Sequence, residues 1–189
     1  MTLTIKLESQ DLLLKPISYL DKFSWDEVRN ENREWLTPWE ATKPKIDLIL
    51  GAPSFFQMVK VLKREQRAGR SISLGMFQRE ERKSKFIGQI TLGGITYGAM
   101  RGAHIGYWID KRYSGKGLTT KAVQLVSEYA FSKLKLHRIE IAMRPENEAS
   151  KKVAIKAGYT FEGERKNYLH IAGQWRDHMV YILENPKIQ

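Results

Sequence analysis

The hydrophobic period of this chain changes from that of strands to that of a helix near residue 118, and this change constrains the fold more than any other feature. Three strand-like apolar runs precede it, separated by a charged tip at residues 78–85 and a turn at residues 98–102; they cover residues 71–77, 86–96 and 104–110. From Leu118 onward, apolar residues recur every three or four positions, as on one face of a helix. The middle of the chain therefore predicts an antiparallel meander followed by a helix.

The rest of the chain supplies further strands and helices on both sides of the meander. On the N-terminal side we predict a strand at residues 12–17, a helix at residues 19–33 and a helix that is capped by Ser54 and stops at Gly69. On the C-terminal side we predict a strand, a helix and two closing strands, at residues 138–143, 147–157, 161–170 and 175–183. This order predicts an α/β fold with a mixed, mostly antiparallel central sheet and helices on both faces, in one domain over residues 1–189.

Composition excludes several classes of chemistry. Because the sequence has no cysteine, it forms no disulfide, cysteine-ligated zinc site or cysteine nucleophile, and its four histidines show no metal-binding spacing, so we expect no metal. No apolar run reaches the roughly 18 residues of a membrane span and the N-terminus lacks the apolar core of a signal peptide, which favours a cytoplasmic protein without membrane contact. The formal net charge of +11 favours an anionic partner, either nucleic acid, a nucleic-acid-rich particle or a phosphorylated cofactor, with a generally basic soluble protein as the alternative.

The segment at residues 109–120 combines a strand end, a basic glycine-rich loop and a helix start. The unpaired N–H groups at a helix N-terminus carry partial positive charge. Glycines such as Gly115 and Gly117 let that backbone approach a ligand closely, because they have no Cβ. The segment therefore predicts a site for a phosphate or pyrophosphate, with a plain strand-to-helix turn as the alternative.

Two common phosphate-binding loops fit this segment poorly. A P-loop requires Ser or Thr after its Gly-Lys pair, but Gly117 follows Gly115 and Lys116. A dinucleotide-binding fingerprint requires a third glycine where this chain has Thr120, and it belongs to an N-terminal βαβ unit. Neither loop class therefore identifies the ligand.

The pattern R-x-x-G-x-G at residues 112–117 resembles the acetyl-coenzyme-A motif of the GNAT acetyltransferases, and the run K-A-G-Y at residues 156–159 is similar to a helix exit in that family. The resemblance implies the GNAT acyl-CoA N-acyltransferase fold with acetyl-CoA as co-substrate. It also implies that the strand before the loop pairs its backbone with the pantetheine arm, and that the next strand splays away from it.

Three longer runs are similar to the Rim type of ribosomal-protein-alanine N-acetyltransferases, at residues 35–42, 136–140 and 168–178. This resemblance implies acetyl transfer from acetyl-CoA to the N-terminal amine of a protein, often a ribosomal protein, by direct attack in a ternary complex. Two alternatives stay open: a GNAT enzyme for a small-molecule amine such as an antibiotic, polyamine or amino acid, and a ribosome- or RNA-binding module that keeps only the fold. No nucleic-acid recognition motif is present, and we expect a monomer or weak dimer.

The resemblance implies coenzyme contacts in the loop and in the elements beside it. Pyrophosphate contacts, mainly through backbone N–H groups, are implied for Gly115, Lys116, Gly117, Leu118, Thr119 and Thr120. Trp108, Ile109 and Asp110 would supply backbone contacts to the pantetheine arm, and Arg112 would add charge. Asn147 resembles the coenzyme-contacting Asn of the family, although an Asn before a helix is also a favoured N-cap and both roles are compatible.

Catalytic roles are assigned by the same resemblance. Ser150 is the candidate donor to the departing thiolate, with an ordinary first-turn serine as the alternative. The base is open between His104, which stands where relatives often have Glu, and Glu140 on the following strand. The alternatives are a half-exposed structural histidine at position 104 and a solvent-facing salt bridge at Glu140. A dedicated base is not obligatory, since an α-amine with a pKa of about 8 is already partly neutral near neutral pH.

Three further residues are candidates for acceptor binding. Glu40 could attract the positive N-terminus of a peptide or act as a third candidate base. Trp39 could wall the peptide cleft, although packing is the usual role of a large aromatic residue. Tyr168 could donate a proton or contact the peptide.

Overall fold

The computed structural model describes residues 5–44, 53–79 and 84–188. Within these ranges eight strands form one sheet: β1 (Leu7–Glu8), β2 (Leu12–Pro16), β3 (Ile72–Arg79), β4 (Ser84–Thr96), β5 (Gly102–Ile109), β6 (Arg138–Met143), β7 (Thr160–Ile171) and β8 (Gln174–Glu184). The helices are α1 (Lys22–Glu31), α2 (Arg33–Leu36), α3 (Phe55–Arg67), α4 (Leu118–Ser132) and α5 (Glu148–Lys156), with short 3-10 helices at Tyr19–Asp21, Thr37–Trp39 and Lys111–Tyr113. None of the helices in these ranges is long and apolar enough to cross a membrane.

The sheet is mixed and mostly antiparallel, which confirms the prediction. Its strand order is β1-β2-β3-β4-β5-β6-β8-β7, and every neighbouring pair is antiparallel except β5 and β6. The parallel pairing covers three residue pairs and ends at His104 and Glu140. Because β5 continues to Ile109 and β6 to Met143, the two strands separate beyond this short ladder and leave an opening in the sheet.

Helices cover both faces of the sheet, as predicted. On one face α4 packs Val126 into the larger core with strand residues such as Leu74. On the other face Val28 of α1 packs against Phe77 and Phe86, while α3 packs Phe55 and Val59 against Ile17 in a third cluster that completes the same layer. Burying each large apolar side chain stabilises the fold by roughly 1.5–3 kcal/mol, so both helix layers are held mainly by the hydrophobic effect.

The helix predicted at residues 19–33 is present, and its apolar residues divide between the core and solvent. The segment begins as a 3-10 helix and continues as α1. Val28 is buried, whereas Leu20 is 92% exposed and Phe23 is 85% exposed. The contact with the sheet is made by Trp25 and Val28.

Local signals set several other element ends correctly. Ser54 caps α3, as predicted, by accepting the N–H of Gln57 at 3.3 Å while the Gln57 side chain accepts the Ser54 N–H at 2.8 Å. Gly158, with φ of 94°, follows the end of α5. The charged tip is shorter than predicted, because β3 runs to residue 79 and β4 begins at residue 84; residues 80–83 lie outside the described ranges.

Gly88 lies where β4 pairs with the part of β5 that borders the opening. A Cβ at Gly88 would lie 2.3 Å from the Trp108 carbonyl oxygen and 3.0 Å from the Ile109 Cα. Since backbone atoms cannot rotate away as a side chain can, we expect Gly88→Ala to lower the free energy of unfolding by about 1–3 kcal/mol, measured by chemical denaturation. Gly163→Ala is the matched control, because a Cβ there meets no atom within 4 Å. An equal loss in both variants would contradict the prediction.

Candidate active site

Two glycines in the left-handed conformation shape the loop between β5 and α4. Gly115 has φ of 76° and Gly117 has φ of 80°, and a Cβ at either would meet no atom within 4 Å, so the backbone angle and not the space requires glycine. Gly117 is the N-cap of α4, and its carbonyl accepts the N–H of Lys121 at 3.0 Å. The N–H groups of residues 118–120 therefore have no partner within the helix and form the positive end of its dipole.

The side chains of this segment lie in different environments. Thr119 and Thr120 line the cavity described below, whereas Leu118 is buried in the core. The Lys116 ammonium lies 5.0 Å from the centre of the Tyr113 ring. Contacts from Leu118 to a ligand would therefore be made by its backbone.

A buried carboxylate fixes the start of the loop. Asp110 is 1% exposed and accepts both the backbone N–H of Arg112 at 3.0 Å and its guanidinium at 2.6 Å. Arg112 also pairs with Glu31 of α1 at 2.6 Å, and the Asn32 side chain accepts the N–H of Lys111 at 2.8 Å. Burial alone would raise the pKa of Asp110, but the hydrogen bonds and charge of Arg112 outweigh it and hold that pKa below its usual value. The side chains of Asp110 and Arg112 thus brace the loop.

The β5 strand presents a free backbone edge to the opening. The Asp110 N–H donates to a β4 carbonyl at 2.8 Å, and by the alternation of an antiparallel ladder Trp108 also directs its N–H and C=O toward β4. Tyr107 and Ile109 direct theirs to the opposite side, from which β6 has separated. The Trp35 indole N–H donates to the Ile109 carbonyl at 3.3 Å. Of the three residues predicted to contact the pantetheine arm through their backbone, Ile109 is the one whose polar backbone groups face the opening.

A cavity of about 1010 Å³ passes through the opening in the sheet. Its first end is formed by the glycine loop, α4 and α5, with lining residues that include Ser114, Gly115, Gly117, Thr119, Thr120, Asn147 and Ser150. Its second end is formed by α1, α2, the segment after them and the other face of β4, with lining residues that include Arg29, Trp35, Trp39, Glu40, Gln89 and Thr91. Since α4 and α1 pack on opposite faces, a ligand held at the loop could present its reactive end to a second molecule on the other face.

The first turn of α5 places a serine in the lining of this cavity. Asn147 caps α5 by accepting the Ser150 N–H at 3.0 Å, so its predicted N-cap role is confirmed, and both residues line the cavity. The Ser150 Oγ donates to the Tyr107 hydroxyl at 3.1 Å. Sequence analysis missed Tyr107; the alternation along β5 was the available signal, because it places Tyr107 on the α5 face with Ile105 and Ile109.

At the second end of the cavity, the Glu40 carboxylate is paired with a cation and lies near aromatic rings. Glu40 forms an ion pair with Arg29, whose guanidinium lies 5.0 Å from the centre of the Trp108 ring. The Arg144 guanidinium lies 5.4 Å from the Trp39 ring, which is 36% exposed. The predicted acceptor residues Trp39 and Glu40 therefore lie together, and the charge of Glu40 is already partly balanced.

Seven of the predicted site residues lie outside the lining that the described residues give this cavity: Asp110, Arg112, Lys116 and Leu118 in the loop segment, and His104, Glu140 and Tyr168 elsewhere. Glu140 accepts guanidinium hydrogens from Arg138 at 2.9 Å and Arg165 at 2.8 Å, and Arg165 also donates to the Tyr168 hydroxyl at 3.0 Å. His104 lies beside Glu140 in the β5–β6 ladder. Burial lowers the pKa of His104, and the charge of Glu140 only partly offsets this. Their roles stay predictions.

Comparisons with known proteins agree with this geometry. Residues 11–160 match the family model of the acetyltransferase (GNAT) domain. The ribosomal protein uS5-alanine N-acetyltransferase of Escherichia coli (strain K12) is 27% identical over 183 residues, covering 96% of this chain and 92% of that protein. "Probable N-acetyltransferase YjcK" of Bacillus subtilis (strain 168) is 46% identical over 102 residues, which span 54% of this chain and only 56% of that protein. The structure of Mycobacterium smegmatis RimJ in complex with CoA-disulfide matches with a TM-score of 0.83 and 30% identity, over 96% of this chain and 86% of that one.

Replacing Gly117 by alanine should weaken coenzyme binding beyond its effect on stability. The left-handed conformation costs roughly 1–2 kcal/mol for a residue with a Cβ. The loop of the alanine variant would relax to relieve this strain, which would shift the N–H groups at residues 118–120. Gly98→Ala is the matched control, because Gly98 has φ of 70° and open surroundings but lies outside the cavity lining. We expect both variants to lose similar stability and only Gly117→Ala to lose about tenfold in coenzyme affinity by calorimetry, or about 1.4 kcal/mol. Unchanged affinity in Gly117→Ala would refute the loop assignment.

The Asp110 carboxylate should make the protein less stable as the pH falls. Because its pKa is lowered by folding, its contribution is complete above the unfolded pKa of about 3.9 and is lost as the pH falls through the lower folded pKa. We expect Asp110→Asn to cost about 1–2 kcal/mol near neutral pH, and the difference from wild type to shrink in urea titrations below about pH 4. Asp11→Asn, at a carboxylate that is 42% exposed, should cost less. A difference that does not change with pH would contradict this assignment.

Proposed function

Because the chain belongs to the GNAT acetyltransferase family, we propose that it transfers acetyl from acetyl-CoA to the N-terminal amine of a protein, with a ribosomal protein that begins with alanine as the acceptor. The observation that carries the proposal is the single cavity that joins the glycine loop on one face of the sheet to Trp39 and Glu40 on the other. The relative named for alanine in ribosomal protein uS5 matches 96% of this chain, which supports the acceptor class.

The described residues fit acetyl-CoA at the loop end. Gly115 and Gly117 leave room for a ligand beside the backbone, and the N–H groups of residues 118–120 can donate to the oxygens of a diphosphate. The edge of β5 that β6 leaves uncovered, at the Tyr107 backbone and the Ile109 N–H, can pair with the amides of the pantetheine arm. Acetyl-CoA, once bound, supplies an activated thioester.

The acceptor end suits one amine better than a polyamine. The charged lining residues described at this end are Glu40 and Arg29, which form an ion pair, so this end has no excess of negative charge for a polycation. Glu40 attracts the ammonium form of the acceptor, and Trp39 forms the wall beside it. An α-amine with a pKa of about 8 is partly neutral near neutral pH, so a weak base or water suffices to accept its proton.

We propose direct transfer without a covalent enzyme intermediate, since the sequence has no cysteine to carry the acetyl group. The amine nitrogen forms a bond to the acetyl carbon, the carbon–sulfur bond breaks, and its electron pair leaves with sulfur. Ser150 donates a hydrogen bond to that sulfur from the first turn of α5. His104 and Glu140 remain the proposed bases, with Glu40 as a third that already lies in the cavity.

Several coarser properties accompany this proposal. We propose a single domain over residues 1–189, because one sheet runs from β1 to β8. We propose that it works in the cytoplasm as a monomer or weak dimer, without direct recognition of nucleic acid. The rival functions are acetylation of a small-molecule amine and a ribosome-binding role without chemistry, and each predicts a different result below.

Calorimetry with acetyl-CoA, followed by mass spectrometry of acceptors, tests the function. We expect stoichiometric binding of acetyl-CoA and addition of one acetyl group to the α-amine of peptides that begin with alanine, more than with serine or methionine. Glu40→Gln should raise the KM for peptide about fivefold at unchanged coenzyme affinity. The reason is that it removes an attraction of about 1 kcal/mol between the Glu40 carboxylate and the peptide ammonium. Acetylation of spermidine but of no peptide would support the small-molecule alternative. Absence of coenzyme binding would support the ribosome-binding module.

A further inference from the structure

Tyr107 brings to the cavity a phenol to which the proposed function gives no role. Its backbone belongs to the free edge of β5, and its side chain lies on the α5 face and lines the cavity. The hydroxyl accepts from the Ser150 Oγ at 3.1 Å and lies 3.4 Å from the Ser150 carbonyl, to which it can donate. The same two residues are therefore linked twice, once through side chains and once through the backbone.

This double link holds the Ser150 hydroxyl in one orientation. The Ser150 N–H is already bonded to the Asn147 cap at 3.0 Å, so the helix end is fixed and only the side-chain torsion remains free. A serine hydroxyl on an uncovered first turn can rotate among its staggered positions or fold back onto nearby backbone groups. The bond to Tyr107, which also lines the cavity, selects one of these positions.

We propose that Tyr107 is a positioning residue for Ser150: it orients the serine hydroxyl before the reaction and then donates to the Ser150 Oγ, so that the serine hydrogen turns to the departing sulfur. This inference rests on the proposed function, because it assumes that Ser150 meets the coenzyme sulfur. Tyr107 itself acts through Ser150 and touches no reacting atom.

Electrons and protons balance in this step without an added reagent. The carbon–nitrogen bond forms, the carbon–sulfur bond breaks, and the electron pair leaves with sulfur as a thiolate that accepts a hydrogen bond from Ser150. The surplus proton of the amine leaves to solvent or to a base. Burial raises the pKa of Tyr107 to about 12, so its phenol stays protonated and serves as a donor without giving up its proton. Two hydroxyls in line polarise each other, which strengthens the bond to sulfur.

A double-mutant cycle separates positioning from independent action. We expect Tyr107→Phe to lower kcat about tenfold with little change in the KM for acetyl-CoA, which corresponds to about 1.4 kcal/mol of transition-state stabilisation. In the Ser150→Ala background, Tyr107→Phe should cause no further loss, whereas Ser150→Thr should retain activity. Losses that multiply would overturn the proposal, because Tyr107 would then act without Ser150.

Tyr159→Phe is the matched control for the cycle. Tyr159 is also a buried tyrosine bonded to a serine, at 2.7 Å from the Ser127 Oγ, but this pair lies outside the cavity lining. Its removal should lower stability and leave kcat within about twofold of wild type, since it touches neither end of the cavity. An equal loss of kcat in Tyr159→Phe would show that any lost tyrosine–serine bond slows the enzyme, and would overturn the assignment to Tyr107.

A second readout needs no acceptor and therefore survives failure of the proposed acceptor class. The thiol of CoA bound to the wild type should have a pKa below its usual value of about 8.5, since Ser150 stabilises the thiolate. Ultraviolet difference titration should show this pKa return toward that of free CoA in both Tyr107→Phe and Ser150→Ala. A thiol pKa that Tyr107→Phe leaves unchanged would overturn the proposal. Should Tyr107→Phe not fold, Tyr107→3-fluorotyrosine, whose phenol is a stronger donor, should lower the thiol pKa further; no change would count equally against it.

Discussion

The early end of the β5–β6 ladder is the constraint on which the rest of the site depends. The pairing stops at His104 and Glu140, although both strands continue. Beyond that point the polar backbone groups of Tyr107 and Ile109 have lost their strand partner, and a buried unpaired group costs roughly 1–3 kcal/mol. Trp35 satisfies the Ile109 carbonyl. The other groups open on the cavity, where a ligand with amides can complete the missing ladder.

The two ends of the cavity are built on one framework. The junction of α1 and α2 reaches the glycine loop through three contacts: Glu31 to Arg112, Asn32 to the Lys111 N–H, and Trp35 to the Ile109 carbonyl. The 3-10 helix Thr37–Trp39, which carries the proposed acceptor wall, follows α2 directly, so the glycine loop and this wall cannot move far apart without breaking these contacts. Such bracing fixes the two ends of the cavity in one geometry before either reactant of a two-substrate transfer binds. This lowers the entropic part of the barrier.

Sequence patterns correctly predicted the features that depend on residues close together in the chain. The glycine loop and the caps at Ser54 and Asn147 depend on neighbours within a few residues, and the meander follows from a period of two. The Glu140 carboxylate is paired with Arg165, which comes close only after β7 and β8 fold back onto β6. No local sequence pattern could therefore show that the charge of Glu140 is neutralised by an ion pair. The exposure of Phe23 on α1 was unpredictable for a similar reason, since a short helix shows a period but not which side meets the sheet.

Two tyrosine–serine pairs in the same half of the molecule show that position, and not residue type, makes such a pair useful. Ser127 donates to the Val123 carbonyl at 2.8 Å and lies 2.7 Å from the Tyr159 hydroxyl, so both hydroxyls are enclosed in the core. Ser150 and Tyr107 have the same chemistry, but both reach the opening where β5 parts from β6. A tyrosine–serine hydrogen bond that would be buried in a continuous sheet is thus accessible to a ligand where the two strands separate. The chemistry of the site is in this sense a consequence of where the sheet stops being continuous.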